Sequence, residues 1–368
     1  MKMKKHVLAI AAIVSASLSS ASVMAADLEL VAKFEDARPG NPTLTVDGKL
    51  IVTMSALVNP DIHVREVLAD GSTKPYPNLE WAGKAGEHGK GIASTIGIKA
   101  DTNGILWVLD MGNKQHTPKL IGWDTYANKL HRSIVFPSGV VDKHSFIQDI
   151  AIDTKRNRAY LADMTLDKKT GTTPAPAILV VDLETGEVRR TLENHESFQS
   201  DGKPIFVEGR IVAHSDSKGD AVYHQYGLNP IAIDPQQEWV YFGPMGGTTI
   251  HRIPADALAD DSLNYEQLSG FIEFYRNKPR TDGFTVDAHG DVYVTDVENS
   301  AIGVVKEDGY HVVVQDEKLS WPDGVALSQD GWLYVVANQL HNLPGLNQGK
   351  DASKPPFTIY KINVNDVE

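Results

Sequence analysis

The stretch WPDGVALSQDGWLYVVANQ (Trp321–Gln339) nearly repeats an earlier stretch, TDGFTVDAHGDVYVTD (Thr281–Asp296). Each begins with an Asp-Gly pair and a short apolar run, followed by a turn that ends in Gly and a second apolar run containing Tyr. Turn residues between β-branched and aromatic runs are typical of a β-hairpin. The two stretches therefore predict two copies of one hairpin.

The same pattern occurs four more times, starting at Pro42, Gly97, Asp149 and Pro230. The residues that begin the six turns lie 54, 52, 81, 53 and 41 positions apart; they are Asp47, Asp101, Asp153, Asp234, Asp287 and Ser328. Hairpin repeats of roughly 40 to 50 residues are typical of propeller blades. The sequence therefore predicts an all-β fold, a six-bladed β-propeller that forms a single domain over residues 26–368.

The N-terminal region of the chain carries two separate signals. Residues 1–25 combine lysines, the apolar run HVLAIAAIVSASL and small residues at Val23 and Ala25, which is the pattern of a secretory signal peptide. We expect cleavage after Ala25 and a secreted or periplasmic protein. The strand-like segment Leu28–Glu35 belongs to no repeat, and we expect it to close the ring as the outer strand of the last blade.

Composition narrows the classes of function. The net charge of -13 argues against a nucleic-acid partner, which would require basic surface. The absence of cysteine removes thiolate chemistry and Cys-ligated metals. The histidines have no metal-ligand spacing, and neither HExxH nor GxSxG occurs. The sequence therefore predicts no metal site and no cofactor, and beyond residues 1–25 no apolar run is long enough to span a membrane.

Candidate binding residues precede the recurrent strand of each repeat. In a propeller this strand is the innermost one, so the residues leading into it lie at the mouth of the central channel. They are Asn41, Thr95 with Ile96, Gln148 with Asp149, Asn229, Asp282 and Asp323. Together they predict a polar, acidic pocket, in which adjacent carboxylates bind a cation or raise one another's pKa. For each single residue, a turn-capping role is the alternative.

A second polar set follows the second strand of the repeats: Asp110, Asp163, Asp296, Asn338 and Gln339. Positions at strand ends favour a structural role for the three aspartates. Asn338 and Gln339 are predicted to bind ligand, because a polar cluster follows a buried strand there.

The segments Gly227–Leu258, Asp282–Val305 and WPDGVALSQDGWLYVVANQLHNLP (Trp321–Pro344) resemble the major royal jelly protein and Yellow family, in a bacterial version. That resemblance implies a secreted six-bladed propeller that binds small aromatic amines or, in the Yellow branch, converts dopachrome. More distantly, the chain is similar to gluconolactonase-like (regucalcin-like) propellers, which hydrolyse lactones at a divalent cation. The positions of their metal ligands correspond in this sequence to Asn41-Pro42, Ile96, Gln148 and Asp282. Of these, only Asp282 has the residue type that binds the metal in that family.

Three functions follow as hypotheses. In the first, a small organic ligand such as an aromatic amine or quinone binds at the acidic channel mouth. There Asp149, Asp282 and Asp323 supply negative charge and aromatic side chains stack on the ligand; the aromatic candidates are Tyr226, Phe284 and Trp321. The second is an enzyme, either a metal-dependent lactone hydrolase or a dopachrome-tautomerase-like isomerase. The third is a platform for a protein partner, through loops 168–176 and 194–226. The sequence leaves open whether the protein is an enzyme.

Overall fold

A computed structural model of the protein describes residues 27–86 and 88–366. The predicted signal peptide lies outside these residues. Six four-stranded antiparallel sheets follow one another along the chain, and the innermost strands of successive sheets contact one another around a ring. The predicted six-bladed β-propeller is thereby confirmed.

Each blade is described from the channel outward. Blades 1 to 3 consist of Pro39–Leu44, Leu50–Met54, Val64–Val67 and Thr73–Pro75; Thr95–Ala100, Ile105–Asp110, Lys119–Asp124 and Lys129–Val135; and Ile147–Asp153, Arg158–Asp163, Ala177–Asp182 and Val188–Thr191. Blades 4 to 6 consist of Leu228–Ile233, Trp239–Pro244, Thr249–Pro254 and Glu273–Asn277; Phe284–Val286, Val292–Asp296, Ala301–Lys306 and Gly309–Gln315; and Pro322–Leu327, Trp332–Ala337, Phe357–Asn363 and Glu29–Phe34.

Helical structure is short and lies between strands. The α-helices are Leu79–Ala82, Ala255–Ala259 and Tyr265–Ser269, and the 3₁₀ turns are Ala56–Val58, Glu196–Phe198, Leu340–Asn342, Pro344–Leu346 and Val364–Asp366. Two further hairpins lie between blades 3 and 4, pairing Phe206–Val207 with Arg210–Ile211 and Ala213–Ser215 with Ala221–Tyr223.

The ring closes as predicted. Glu29–Phe34 runs antiparallel to Phe357–Asn363 and forms the outer strand of blade 6. Ala32 and Phe34 are buried in an apolar cluster that also contains side chains of blade 1. Similar clusters fill the other five interfaces between neighbouring blades. The core is therefore a series of layers between blades, and the N-terminal strand completes one of them.

The aspartates that begin the recurrent turns are structural. Asp101 Oδ1 accepts hydrogen bonds from the backbone N–H groups of Asn103 and Ile105, both at 2.9 Å. Asp234 and Asp287 cap the equivalent turns of blades 4 and 5 in the same way. A short carboxylate side chain that satisfies turn N–H groups is a typical reason for Asp at such a position. The aspartates at the turns of the repeat therefore stabilise the hairpins.

Two insertions cover the channel mouth. One, between blades 3 and 4, carries the two extra hairpins, and the other, residues 338–356, separates the second and third strands of blade 6. Arg210 Nη1 donates to Asn347 Oδ1 at 3.0 Å, and the Gln348 N–H donates to the Ala213 carbonyl at 2.9 Å. The insertions are thus joined to each other above the channel.

Candidate functional site

A cavity of about 570 Å³ lies at the channel mouth, beneath the two insertions. Its floor is formed by residues that lead into the inner strands: Gly40, Asn41, Ile96, Gln148, Asn229, Asp282 and Asp323. Its walls come from the insertions and from residues that follow the second strands, with mostly apolar side chains. The volume falls in the range of small-molecule sites.

Register shifts in the backbone pairing occur where floor residues lead into the inner strands. In five of the six blades the pairing of the inner strand shifts register near its start, between Pro39 and Pro42 in blade 1 and between Ile147 and Asp149 in blade 3, for example. A β-bulge adds a residue to one strand and turns a side chain out of the regular alternation. The recurrence of the bulge places the floor residues of blades 1, 2, 3, 4 and 6 at equivalent points of their inner strands, whereas Asp282 lies just before the inner strand of blade 5.

Asp282 is the centre of the floor. Asn229 Nδ2 donates to its Oδ1 at 2.8 Å, and the Trp321 indole Nε1 donates to its Oδ2 at 2.7 Å. Burial raises the pKa of Asp282 to about 6, although both donors favour the charged form. Trp321 has φ of +53°, in the left-handed region that is uncommon for a large side chain. Trp321 therefore donates its indole N–H to the Asp282 carboxylate from a left-handed backbone conformation.

Asp323 lies beside Asp282 in the floor, close enough for the charge of Asp282 to act on it. Asn338 Nδ2 donates both to Asp323 Oδ2 and, at 3.0 Å, to the Pro39 carbonyl. Burial, followed by the negative charge of Asp282, raises the pKa of Asp323 well above its usual range. Since two donors stabilise Asp282 as an anion, Asp323 is the member of the pair that keeps its proton.

Asp149 lies deeper, in the narrow channel below the cavity. Its Oδ1 accepts from the Ile150 N–H at 2.9 Å and from Asn41 Nδ2 at 3.2 Å, and its Oδ2 accepts from the Ile231 N–H at 3.1 Å. These bonds join blades 1, 3 and 4. Burial raises its pKa to about 6, and the half-buried Lys99 lines the same narrow space. Asp149 thus ties blades together beneath the cavity.

The walls of the cavity are apolar and aromatic. Met164, Tyr226, Met245, Trp321 and Leu340 belong to one buried cluster that surrounds the space. Burial, with the nearby charge of Asp282, raises the pKa of the Tyr226 hydroxyl, so that it stays neutral. The cavity therefore combines a buried acidic floor with walls suited to a ring or an alkyl chain.

The structure brings most of the sequence-predicted site residues together. Five line the cavity, namely Asn41, Gln148, Asn229, Asp282 and Asp323. Asn338 lies behind Asp323 and holds its carboxyl group. Gln339 is engaged elsewhere, since its side chain donates to the Lys354 carbonyl and accepts from the Lys354 N–H. Of the predicted aromatic side chains, Tyr226 and Trp321 line the cavity, whereas Phe284 lines the narrow channel with Asp149.

The three aspartates of the second set have structural partners. Asp110 accepts from the backbone N–H groups of Ala93, Ser94 and Gly112. Asp163 bonds the Phe146 N–H and Arg190, and Asp296 accepts from Asn299 and from the Tyr310 hydroxyl. All three hold the chain where it leaves the second strand.

Sequence reasoning missed the wall residues. Phe146, Met164, Leu166, Lys168, His214, His224 and Met245 line the cavity but stand outside the repeated pattern. The one signal for the histidines was the excess length of the third interval between repeats, which marked an insertion. Nothing in that interval indicated that the insertion folds back over the channel.

The residues present do not fit the divalent cation of the gluconolactonase-like resemblance. Ile96 offers no ligand, and Asn229 and Trp321 direct N–H groups at Asp282, where a divalent cation would need several converging oxygen ligands. Within residues 27–86 and 88–366, three His, Cys, Asp or Glu side chains do not come together as a set of metal ligands. The polar groups of the floor are arranged to hydrogen-bond one another, which is a different arrangement from a shell of oxygen ligands.

Comparison with known proteins identifies the family. The model of the family described as "Major royal jelly protein" matches residues 93–368, more than half of the chain. The chain therefore belongs to the major royal jelly protein family. No curated protein sequence matches it. The part of the chain that the structure describes contains no helix with the length and apolar character needed to cross a bilayer.

Several solved propellers share the fold. The calcium-binding protein regucalcin from Agrobacterium tumefaciens has a TM-score of 0.54 at 15% identity, over 92% of this chain and 95% of that one. A gluconolactonase from Xanthomonas campestris has a TM-score of 0.53 at 12% identity, over 92% and 89%. A luciferin-regenerating enzyme has a TM-score of 0.53 at 11% identity, over 92% and 95%. At such identities the likeness concerns the fold alone.

Proposed function

We propose that the protein binds a small organic cation, such as an aromatic amine, in the cavity at the channel mouth. The observation that carries the proposal is the buried carboxyl pair Asp282–Asp323 at the floor of a ligand-sized apolar cavity. A buried carboxylate is costly unless it is paired, so a cation that reaches it gains more than it would at an exposed carboxylate.

The proton on Asp323 gives the site a way to accept a cation. Each oxygen of Asp282 receives one N–H group and keeps room for a second donor. An ammonium group placed between the two carboxyls would stabilise the charged form of both, and Asp323 would then release its proton. The ligand's ring would lie against Tyr226, Trp321 and the methionines of the wall.

Calorimetric titration with a matched pair of ligands tests the proposal. The pair is 2-phenylethylamine, which is a cation at neutral pH, and 2-phenylethanol, which has nearly the same shape without the charge. The amine is expected to bind at least about tenfold more tightly, and Asp282→Asn is expected to remove that preference. Asp220→Asn, which removes a charge at an exposed position, is the control. Equal affinities for amine and alcohol in the wild-type protein would overturn the proposal.

An isomerase is the second candidate, favoured by the same carboxyl pair. One ionised and one protonated carboxyl facing a cavity can take a proton from one atom of a substrate and return a proton to another. Such a step moves protons only and needs no oxidant or reductant. Dopachrome provides a coloured test substrate. A wild-type rate of colour loss no faster than that of Asp282→Asn would exclude this candidate.

We also propose that the protein acts outside the cytoplasm, on the basis of residues 1–25. Mass spectrometry of the protein from a bacterial periplasmic extract is expected to find an N-terminus at Ala26. The protein-partner hypothesis for loops 168–176 and 194–226 stays a prediction, although part of these loops roofs the cavity.

A further inference from the structure

The cavity has basic groups on its wall in addition to the acidic groups on its floor. Lys168, His214 and His224 line the same space as Asp282 and Asp323. Lys168 is exposed, whereas His224 is only 5% exposed and belongs to the roofing insertion. Binding of a cation at the floor makes no use of these three side chains.

The two histidines form a built pair. His214 Nδ1 lies 3.1 Å from His224 Nε2, within hydrogen-bonding distance. The His224 ring stacks on the Tyr226 ring with centroids 5.2 Å apart and planes 7° from parallel. His224 Nδ1 has no hydrogen-bond partner among the described residues. His224 thus brings a stacked imidazole to the cavity wall, with one ring nitrogen at hydrogen-bonding distance from His214 and the other buried without a partner.

Lys168 contributes an ammonium group to this wall, whereas the imidazole of His224 is uncharged. Burial, followed by the neighbouring His214 and Lys168, lowers the pKa of His224 to about 4. His224 is therefore neutral near pH 7, and the histidine pair offers hydrogen bonds. The wall thus presents one exposed ammonium group next to the neutral imidazole of His224.

From this arrangement we infer that the cavity selects ligands with two poles, an ammonium group for the floor and an anionic group for the wall of Lys168, His214 and His224. A carboxylate or an acidic phenol is the class of group that this wall would take. The inference rests on the proposed function for the ammonium pole. An aromatic ring between the two poles would occupy the apolar middle of the cavity.

Two isosteric amines separate the two poles experimentally. 4-(2-Aminoethyl)benzoate and 4-(2-aminoethyl)benzamide share the ammonium and the ring, and differ in the charge of the distal group. The benzoate is expected to bind the wild-type protein about tenfold more tightly than the benzamide. Lys168→Met is expected to remove this preference without weakening the benzamide. Lys169→Met is the matched control, because this neighbouring exposed lysine does not line the cavity.

The outcomes distinguish the two proposals. Equal binding of benzoate and benzamide by the wild-type protein, or a preference that survives in Lys168→Met, would overturn the inference and leave the cation site intact. If no amine binds, 3-phenylpropionate tests the wall alone. Binding that depends on Lys168 would then support the anionic pole while the proposed function fails. Absence of binding would overturn both.

Discussion

Replacing Asp323 by Asn removes an ionisable proton from the floor while keeping its hydrogen bonds. The amide oxygen of the new side chain can still accept from Asn338, and its NH₂ group can donate to Asp282. In the wild-type protein, burial and the charge of Asp282 raise the pKa of Asp323 well above its usual range. The native state therefore holds a proton that the unfolded state releases.

The sign and size of the effect follow from proton linkage. A carboxyl whose pKa is raised on folding contributes stability at low pH that is lost as the pH rises toward the folded-state pKa. While Asp323 stays protonated in the native protein, each pH unit above about 4 lowers the contribution of this one group to the wild-type free energy of unfolding by about 1.4 kcal/mol. Asp323→Asn lacks this loss. From about pH 4 upward the variant should gain stability relative to the wild type, by up to about 1.4 kcal/mol for each pH unit over which the native Asp323 stays protonated.

Urea unfolding followed by circular dichroism, at several pH values across this range, measures the difference. The Asp323→Asn midpoint should rise relative to the wild type as the pH increases, with unchanged dependence on urea. Asp220→Asn, which removes an exposed carboxyl, should follow the wild-type curve. Parallel curves for Asp323→Asn and the wild type would refute the assignment of a buried, protonated Asp323.

Three further changes test how the ring and the floor are held. Deletion of Glu29–Phe34 exposes the edge of blade 6 and removes buried Phe34, so the free energy of unfolding should fall by more than about 3 kcal/mol; an unchanged urea midpoint would contradict the closure. Gly283→Ala places a Cβ 2.5 Å from the Asp323 carbonyl oxygen and should cost about 1–3 kcal/mol in urea unfolding, whereas Gly86→Ala, with open space around it, should cost little. Trp321→Phe removes the indole N–H from Asp282 and should cost about 1.5–3 kcal/mol; a loss well below this range would contradict the charged state of Asp282.

The hairpin repeat was readable from sequence because its causes are local. Turn aspartates such as Asp101 bond N–H groups two and four residues away, and the alternation of the flanking strands reports their burial. Six copies of a unit that cannot bury its own faces imply a closed ring of blades. The closing strand Glu29–Phe34 was also predictable, since its pattern had no partner in any other repeat.

The floor of the cavity was predictable as a set of positions, because each stands at the same place in its repeat. The geometry of these positions was not predictable, since it depends on β-bulges in five inner strands. No residue type in the sequence indicates these bulges. The partnership of Trp321 with Asp282 depends on a left-handed backbone conformation at Trp321. Gln339 was expected at the site because it belongs to a polar cluster that follows a buried strand, yet its side chain bonds Lys354 instead.

The sequence by itself determined the six blades, the closing strand and the acidic positions at the channel mouth, because repetition and local turn chemistry are written in neighbouring residues. Only the tertiary structure decided what stands above that floor. The insertions at residues 192–227 and 338–356 meet through Arg210 and Asn347, which lie more than a hundred positions apart. Contacts between such distant segments leave no periodic signal in the chain, so the basic wall of the cavity appears only once the chain is folded.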